Sequence, residues 1–435
     1  MTQDIAGRTR VATGPTPWRP TLADLARLAE PDVISNPYPL YARLREASPF
    51  VELGGALLIF GTYEDCSRIL RDPRASSERQ RSLLIPPDHP ERARTMSFLS
   101  LDPPDHTRLR RLVSKAFTPR VVAMLVPRIT QITNDLLSSA ATSSGLELVS
   151  LLAYPLPVRI ISGMLGVPEE DHSRFAGWSA KLAHSVQPTF GAVDPAELAE
   201  IEQASEEFAE YFTELIARRR VAPADDLLTD LIRAEDAGDR LTVDELIATC
   251  VLLLVAGHET TVGLISNAVL ALLRNPGQLA ALVADPDLAP AAVEETLRYD
   301  PPVQMTGRVA TGGMTAGGVT PEDGSVMLLL LAATGRDPTV VADPDVFDIG
   351  RVASGQRSEH LAFAAGPHFC LGAPLARLEA TTALQAIAER VVNPRLDETG
   401  LVYKSNFNLR GPARMVVTFD EIRPQQASSR ERPLP

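Results

Sequence analysis

The sequence predicts a mainly α fold with a minor β portion, in a single large domain. Three observations carry that prediction. Helix-start signals followed by apolar residues at helical spacing recur along almost the whole chain. Strand-like runs are few and short: "FVEL" and "ALLIFG" near the start, "GRVATG" and "SVMLLLLAA" in the last third. From 21 to 423 there is no linker-like stretch and no internal repeat, although 435 residues would by length alone suggest two or three domains. The polar, proline-rich ends, 1–20 and 424–435, are expected to be flexible arms.

Taken in order, "NPYPLYARLREA" offers Asn36 as an N-cap and Pro37 as the first helical residue. "ALLIFG" follows Gly54-Gly55 and reads as a strand closing a hairpin with "FVEL". Thr62 then caps a short helix to Leu70. The connection 74–101 is long, and loops of that length in compact domains are usually functional. Helices are expected near 104–116, 119–139, 154–165, 169–186, 195–219 and 225–235. The longest runs from Thr242, which forms a capping box with Glu245, to about Arg274. Two more helices, the late strands and an irregular Asp- and Pro-rich stretch follow, and a last helix begins just after Cys370.

Composition excludes several classes. A formal net charge of −13 and a pI near 5.1 give no basic footprint for nucleic acid and no polybasic patch for an anionic membrane surface. Cys66, Cys250 and Cys370 form neither a CxxC pair nor a zinc-finger spacing, as expected of a chain from a reducing compartment. The N-terminus carries no apolar run of the signal-peptide kind. A cytoplasmic protein is expected.

"LIATCVLLLVAGHETTVGLISNAVLALL" is long enough to suggest a membrane span, but Gly257, His258, Glu259, Thr260 and Thr261 interrupt it at the centre, where polar groups are expensive in lipid. It reads instead as the buried spine of a large protein, with no membrane anchor. Zinc of the HExxH kind would need a histidine at 262, where this chain has Val262. A purely structural reading, a polar break whose hydroxyls bond back to the preceding turn, stays open beside a functional one.

"FAAGPHFCLG" holds Cys370 among two glycines, a proline and a histidine, just ahead of a helix. Gly366 and Gly372 permit backbone geometries closed to other residues and let a flat object come close. A helix N-terminus stabilises a thiolate. With no second cysteine or histidine cluster to complete a zinc site, a lone axial ligand to a prefabricated metal cofactor is the economical reading.

Phe363, Gly366, His368, Cys370 and Gly372 spell F-x-x-G-x-H-x-C-x-G, which resembles the haem-thiolate loop of the cytochrome P450 family. "AGHETT" is similar to that family's distal-helix motif, "EETLR" contains its E-x-x-R as Glu295 and Arg298, and "DPPDHTRLRRLVSKAF" resembles the helix beside the haem propionates. Order and spacing agree from about Asn36 to Arg410. The resemblance implies a cytochrome P450 fold of the soluble bacterial type, haem b as cofactor, and Cys370 as the proximal iron ligand, whose thiolate favours O–O cleavage. It puts Phe363 beneath the porphyrin and His106, Arg110, Arg308 and His368 on the propionates. Ala256 and Gly257 would leave room for dioxygen, while Glu259 and Thr260 would relay protons to the oxygen being cleaved. Thr260 is also expected to open the local helix ladder.

Two positions depart from the family pattern. Val346 stands where a basic residue commonly joins the E-x-x-R pair, with Arg351 a possible substitute, and Gly335 precedes Arg336-Asp337 where asparagine is frequent. The expected function is a monooxygenase that inserts one oxygen atom into a small hydrophobic organic substrate. Electrons would come from NAD(P)H through a separate ferredoxin and its reductase, docking near Arg377, Arg110 and Arg111. Substrate contacts are expected from the 74–100 loop, 170–195, Leu252, Val255, Gln304, Met305 and Phe407. A monomer is expected. A haem-thiolate sensor would not need the Glu259-Thr260 pair, and a peroxide-driven enzyme of this fold would be expected to alter it.

Overall fold

The helix Val243–Arg274 organises the rest of the molecule. Thr242 Oγ1 accepts from the Glu245 N–H at 3.1 Å and Glu245 Oε2 accepts from the Thr242 N–H at 2.9 Å, the reciprocal box expected there. Thr261 to Leu272 are buried on all sides, so other helices must surround them. Helices Pro155–Met164, Pro195–Val221, Ala289–Tyr299 and Ala373–Arg390 do so. The computed structural model describes residues 18–86, 97–184, 195–236, 241–356 and 358–425. Most of both expected arms, the middle of the 74–101 connection and the end of the 169–186 helix lie outside them.

Most expected helices are present: Asp105–Ser114, His172–His184, Pro195–Val221 and Leu227–Asp236. Two corrections have local causes. Asn36 does not cap the helix Tyr38–Glu46; Pro37 does, while Asn36, at φ −151° and ψ 83°, closes the preceding helix Pro31–Ser35. A residue before proline is driven out of the α region, which ends one helix and delays the next. The 119–139 helix is two pieces, Pro119–Met124 and Val126–Ser139, because Pro127 has no N–H and is accommodated in a first helical turn. Ahead of Pro155–Met164, Val149–Ala153 winds as a π turn.

The β portion is a five-stranded sheet ordered Phe50–Glu52, Leu57–Phe60, Val326–Leu329, Thr306–Ala310 and Ala75–Ser76. Leu57–Phe60 pairs with Val326–Leu329 in parallel, and the remaining pairs are antiparallel, including the expected hairpin with Phe50 opposite Ile59. Other strands, such as Gly145–Glu147 and Val416–Thr418, are three residues long and too short to show a period in the sequence. Among the described residues one helix, Val243–Arg274, is long and apolar enough to cross a membrane, but much of it is buried against the helices just named.

Candidate functional site

The cysteine loop is built against the helix Tyr63–Arg71, which Thr62 caps by accepting from Asp65 N–H. Gly366 has φ +68°, and a Cβ there would lie 2.3 Å from the Leu70 carbonyl oxygen, so both conformation and space demand glycine. Gly372 does not need its freedom: its φ is −81°, and a Cβ there would meet nothing within 4 Å. The Cys370 N–H donates to the Phe363 carbonyl at 3.0 Å, and the helix Ala373–Arg390 begins three residues later. Burial pushes the Cys370 thiol up; the N–H groups of Gly372 and Ala373 and the guanidiniums of Arg110 and Arg377 pull it down without prevailing. Burial thus outweighs the helix start at this sulfur, and a metal cation coordinated there would favour the thiolate. Burial pushes Cys250 up to about 12 and raises Cys66 further, leaving both inert.

Beside the loop lies a group of two histidines and two arginines. His106 and Arg110 sit one turn apart on Asp105–Ser114. The His106 and His368 rings are 4.1 Å apart between centroids. Arg110 Nη2 donates to the Phe369 carbonyl oxygen. Arg308, on Thr306–Ala310, is 8% exposed and donates to the Gly307 carbonyl at 2.7 Å and Thr306 Oγ1 at 3.4 Å. Burial pulls Arg308 down to about 10, against the attraction of Asp102 and with the help of Arg79. His368 falls to about 3 through burial and the nearby Arg308, His106 and Arg110, and His106 falls through burial and Arg110. Both ring nitrogens of His106 are buried without a partner among the described residues. Orphaned donors beside an arginine with no ion pair among those residues are costly unless an anion answers them.

On the central helix, Leu252, Val255, Ala256 and Thr260 form one stripe that stays open while Leu253, Leu254, His258 and Glu259 are buried. Gly257 packs beside Ile161, whose Cγ1 would be 3.1 Å from a Cβ. Thr260 Oγ1 donates back to the Ala256 carbonyl at 2.9 Å, and Thr261 Oγ1 to Gly257 at 3.2 Å. The helix continues without a break, so the expected opening of its ladder is not there. Glu259 and Thr260 diverge, as adjacent helical residues do at about 100° per residue. Glu259 accepts from Lys404 Nζ at 2.6 Å and lies 3.5 Å from His258 Nε2. Burial would raise its carboxyl, but His258 and Lys404 hold it down at about 2. Lys404, 145 residues away, has no sequence signal of its own.

Other expected residues fall elsewhere. Gln304 (0% exposed), Met305 (1%) and Phe407 (6%) are sealed into packing and do not share the open stripe. Met305 and Phe407 join Tyr41, Leu44 and Phe50 in the core of the N-terminal part. Arg377 is engaged by Glu294 at 3.1 Å and stacked over Phe363 at 4.6 Å, so it is not a free docking charge. Both departures from the family pattern are accounted for. Arg298 binds Glu295 through Nη2 at 2.7 Å and Nε at 2.8 Å, and Arg351 reaches the same carboxylate at 3.3 Å, while Val346 is exposed. A Cβ on Gly335 would lie 2.1 Å from the Arg298 carbonyl oxygen, which leaves no room for asparagine.

Among the described residues no three His, Cys, Asp or Glu side chains could hold a metal between them. A lone cysteine at the head of a helix, near a histidine with both ring nitrogens unpartnered and an arginine with no ion pair among the described residues, suits an anionic cofactor that brings its own metal. Haem fits these residues. The family model "Cytochrome P450" matches residues 54–390. Cytochrome P450 107B1 of Saccharopolyspora erythraea is 44% identical over 82% of this chain and 88% of its own. The vitamin D(3) 25-hydroxylase of Pseudonocardia autotrophica is 41% identical over 88% of this chain and 94% of its own. The ligand-free crystal structure of CYP164A2 from Mycobacterium smegmatis superposes with a TM-score of 0.86, at 46% identity, covering 92% of this chain and all of that one. The chain belongs to the cytochrome P450 family and is an oxidoreductase of the monooxygenase kind.

Proposed function

We propose that Cys370 ligates the iron of haem b and that His106, Arg110, Arg308 and His368 hold its propionates. Phe363, Gly366 and Gly372 line the sulfur side, and Ala256, Gly257 and Thr260 the opposite face. The observation that carries this reading is the pair of orphaned His106 nitrogens beside Arg308, which has no carboxylate partner among the described residues. Haem, when bound, would supply the iron at which dioxygen is activated with electrons delivered from outside the chain, the thiolate favouring O–O cleavage. The chain's own part is to orient and to move protons. Thr260 presents a hydroxyl on the open stripe, and Glu259 restores its proton through water.

The substrate is a small hydrophobic molecule resting on Leu252 and Val255, in keeping with the hydroxylase of that class among the relatives. Electrons come from NAD(P)H through a separate ferredoxin and reductase, and the enzyme works in the cytoplasm. The test is the reduced carbon monoxide complex of the purified protein. It shows the red-shifted Soret band of thiolate ligation, which Cys370→Ser abolishes and Cys66→Ser and Cys250→Ser keep. A band that survives Cys370→Ser defeats the assignment.

A further inference from the structure

Phe363 is tied to Cys370 through the backbone, since its carbonyl accepts the Cys370 N–H at 3.0 Å. Three side chains meet its ring. His360 and Phe369 lie edge-on, each at 6.3 Å between centroids, and the Arg377 guanidinium stacks over it at 4.6 Å. Ala364, the next residue, has φ +55°, a left-handed conformation that strains a residue with a Cβ. Such strain persists where the surroundings hold it. The loop is therefore kept in one shape by the groups packed around Phe363.

The stacked guanidinium is itself clamped. Glu294, on Ala289–Tyr299, accepts from Arg377 Nε at 2.5 Å and from Nη2 at 3.1 Å. The two bonds use both carboxylate oxygens, and a fork of this kind fixes the plane of the guanidinium as well as its distance. His360 Nδ1 accepts from the Ala362 N–H at 3.3 Å, which leaves the ring hydrogen on Nε2, 3.3 Å from Glu294. Burial would raise the Glu294 carboxyl, but His360 and Arg377 hold it down at about 2, so it is ionised near neutrality. Its neighbour Glu295 binds Arg298 and Arg351, which anchors the helix that carries the clamp.

We infer that Arg377 is a positioning residue for the iron ligand: clamped by Glu294, it pins Phe363 and keeps a cation at a fixed place near the Cys370 sulfur, and so sets how readily the bound iron is reduced. A cation near the thiolate draws electron density from it and favours the iron state that holds one more electron. The inference rests on Cys370 being the iron ligand. It also gives Arg377 a task within the chain in place of the expected one at the ferredoxin surface.

The test uses the haem-loaded full chain. Absence of the red-shifted Soret band from the reduced carbon monoxide complex of wild type overturns the ligand assignment and this inference with it. With that band present, reduction potentials are measured by optical titration for wild type, Arg377→Gln and Arg377→Lys. Loss of the cation in Arg377→Gln lowers the equilibrium constant for one-electron reduction on the order of tenfold, about 59 mV. It also lowers the carbonyl stretching frequency of the reduced carbon monoxide complex. Arg377→Lys keeps the charge but not the fork, and lies between wild type and Arg377→Gln in both readings. A side chain that only filled space would move the two variants alike. An unchanged potential in Arg377→Gln, or an equal fall in Arg377→Lys, overturns the inference while leaving the ligand assignment standing. So does an Arg377→Gln protein whose only change is weaker, more salt-sensitive ferredoxin binding.

Discussion

Arg351 lies 3.3 Å from Glu295 with both side chains 2% exposed, in the place of the basic residue absent at Val346. Glu295 also binds Arg298 and accepts from the Asp348 N–H at 2.9 Å, so one buried carboxylate gathers a helix and the irregular stretch after it. Arg351→Ala removes one of two cations from that site and leaves the Ala342 carbonyl and Gln356 without their donor. It is expected to cost about 2 kcal/mol, read as a lower urea midpoint. Val346→Arg, at an exposed position already covered by Arg351, is expected to stay within about 0.5 kcal/mol of wild type.

Arg308→Ala is expected to weaken haem retention, because a propionate in a mostly enclosed site loses its charged donor. His106→Ala should do the same to a smaller degree, since burial and Arg110 lower its affinity for the charging proton. Haem occupancy after stringent dialysis measures both. Equal occupancy in wild type and the two variants would remove the clamp.

The buried Glu259 carboxyl makes stability depend on pH in a defined window. Its folded value of about 2 lies below the ordinary 4.5, so on acidification the unfolded chain takes up the proton first. The stabilisation is therefore complete above about pH 4.5 and is lost as the pH falls to about 2, to a total on the order of 3 kcal/mol. Glu259→Gln should flatten the wild-type fall in unfolding free energy across that window. Parallel pH curves for the two proteins would show that Lys404 and His258 do not hold the carboxyl down.

Thr260→Ala should still take up haem and consume NAD(P)H through its redox partners. Without the hydroxyl on the open stripe, reducing power should appear largely as hydrogen peroxide and little as hydroxylated product. Glu259→Gln should differ, with slow turnover and a larger solvent isotope effect. Peroxide and product per NAD(P)H oxidised separate the two. A Thr260→Ala variant as tightly coupled as wild type would return "AGHETT" to a polar break in a helix, a role its back-bonded hydroxyls also fit.

What could be read from the sequence was local. The capping box at Thr242, the cap at Thr62 and the contorted loop around Cys370 each lie within ten residues, and the structure has all three. What could not be read depends on separation in the chain. Nothing near Lys404 announces a partner 145 residues away, and Arg351 could be offered as a substitute only because a basic residue was missing nearby. Met305 and Phe407 were expected at the substrate by position in the family, but burial places them in the N-terminal core. The close approach that forbids a side chain at Gly335 involves the Arg298 backbone and leaves no trace in the sequence around either residue.

The long apolar helix has a further consequence for how the chain is made. Residues 243–274 leave the ribosome with Pro155–Met164 and Pro195–Val221 already available as neighbours, but before Ala289–Tyr299 and Ala373–Arg390 exist. Until synthesis passes residue 390, one side of the helix is bare, and an exposed apolar surface of that length invites self-association. A message cut short between 274 and 373 is therefore expected to yield an aggregating fragment rather than a smaller working protein. The last helix would thus cover apolar surface that is bare during synthesis, besides following the cysteine loop.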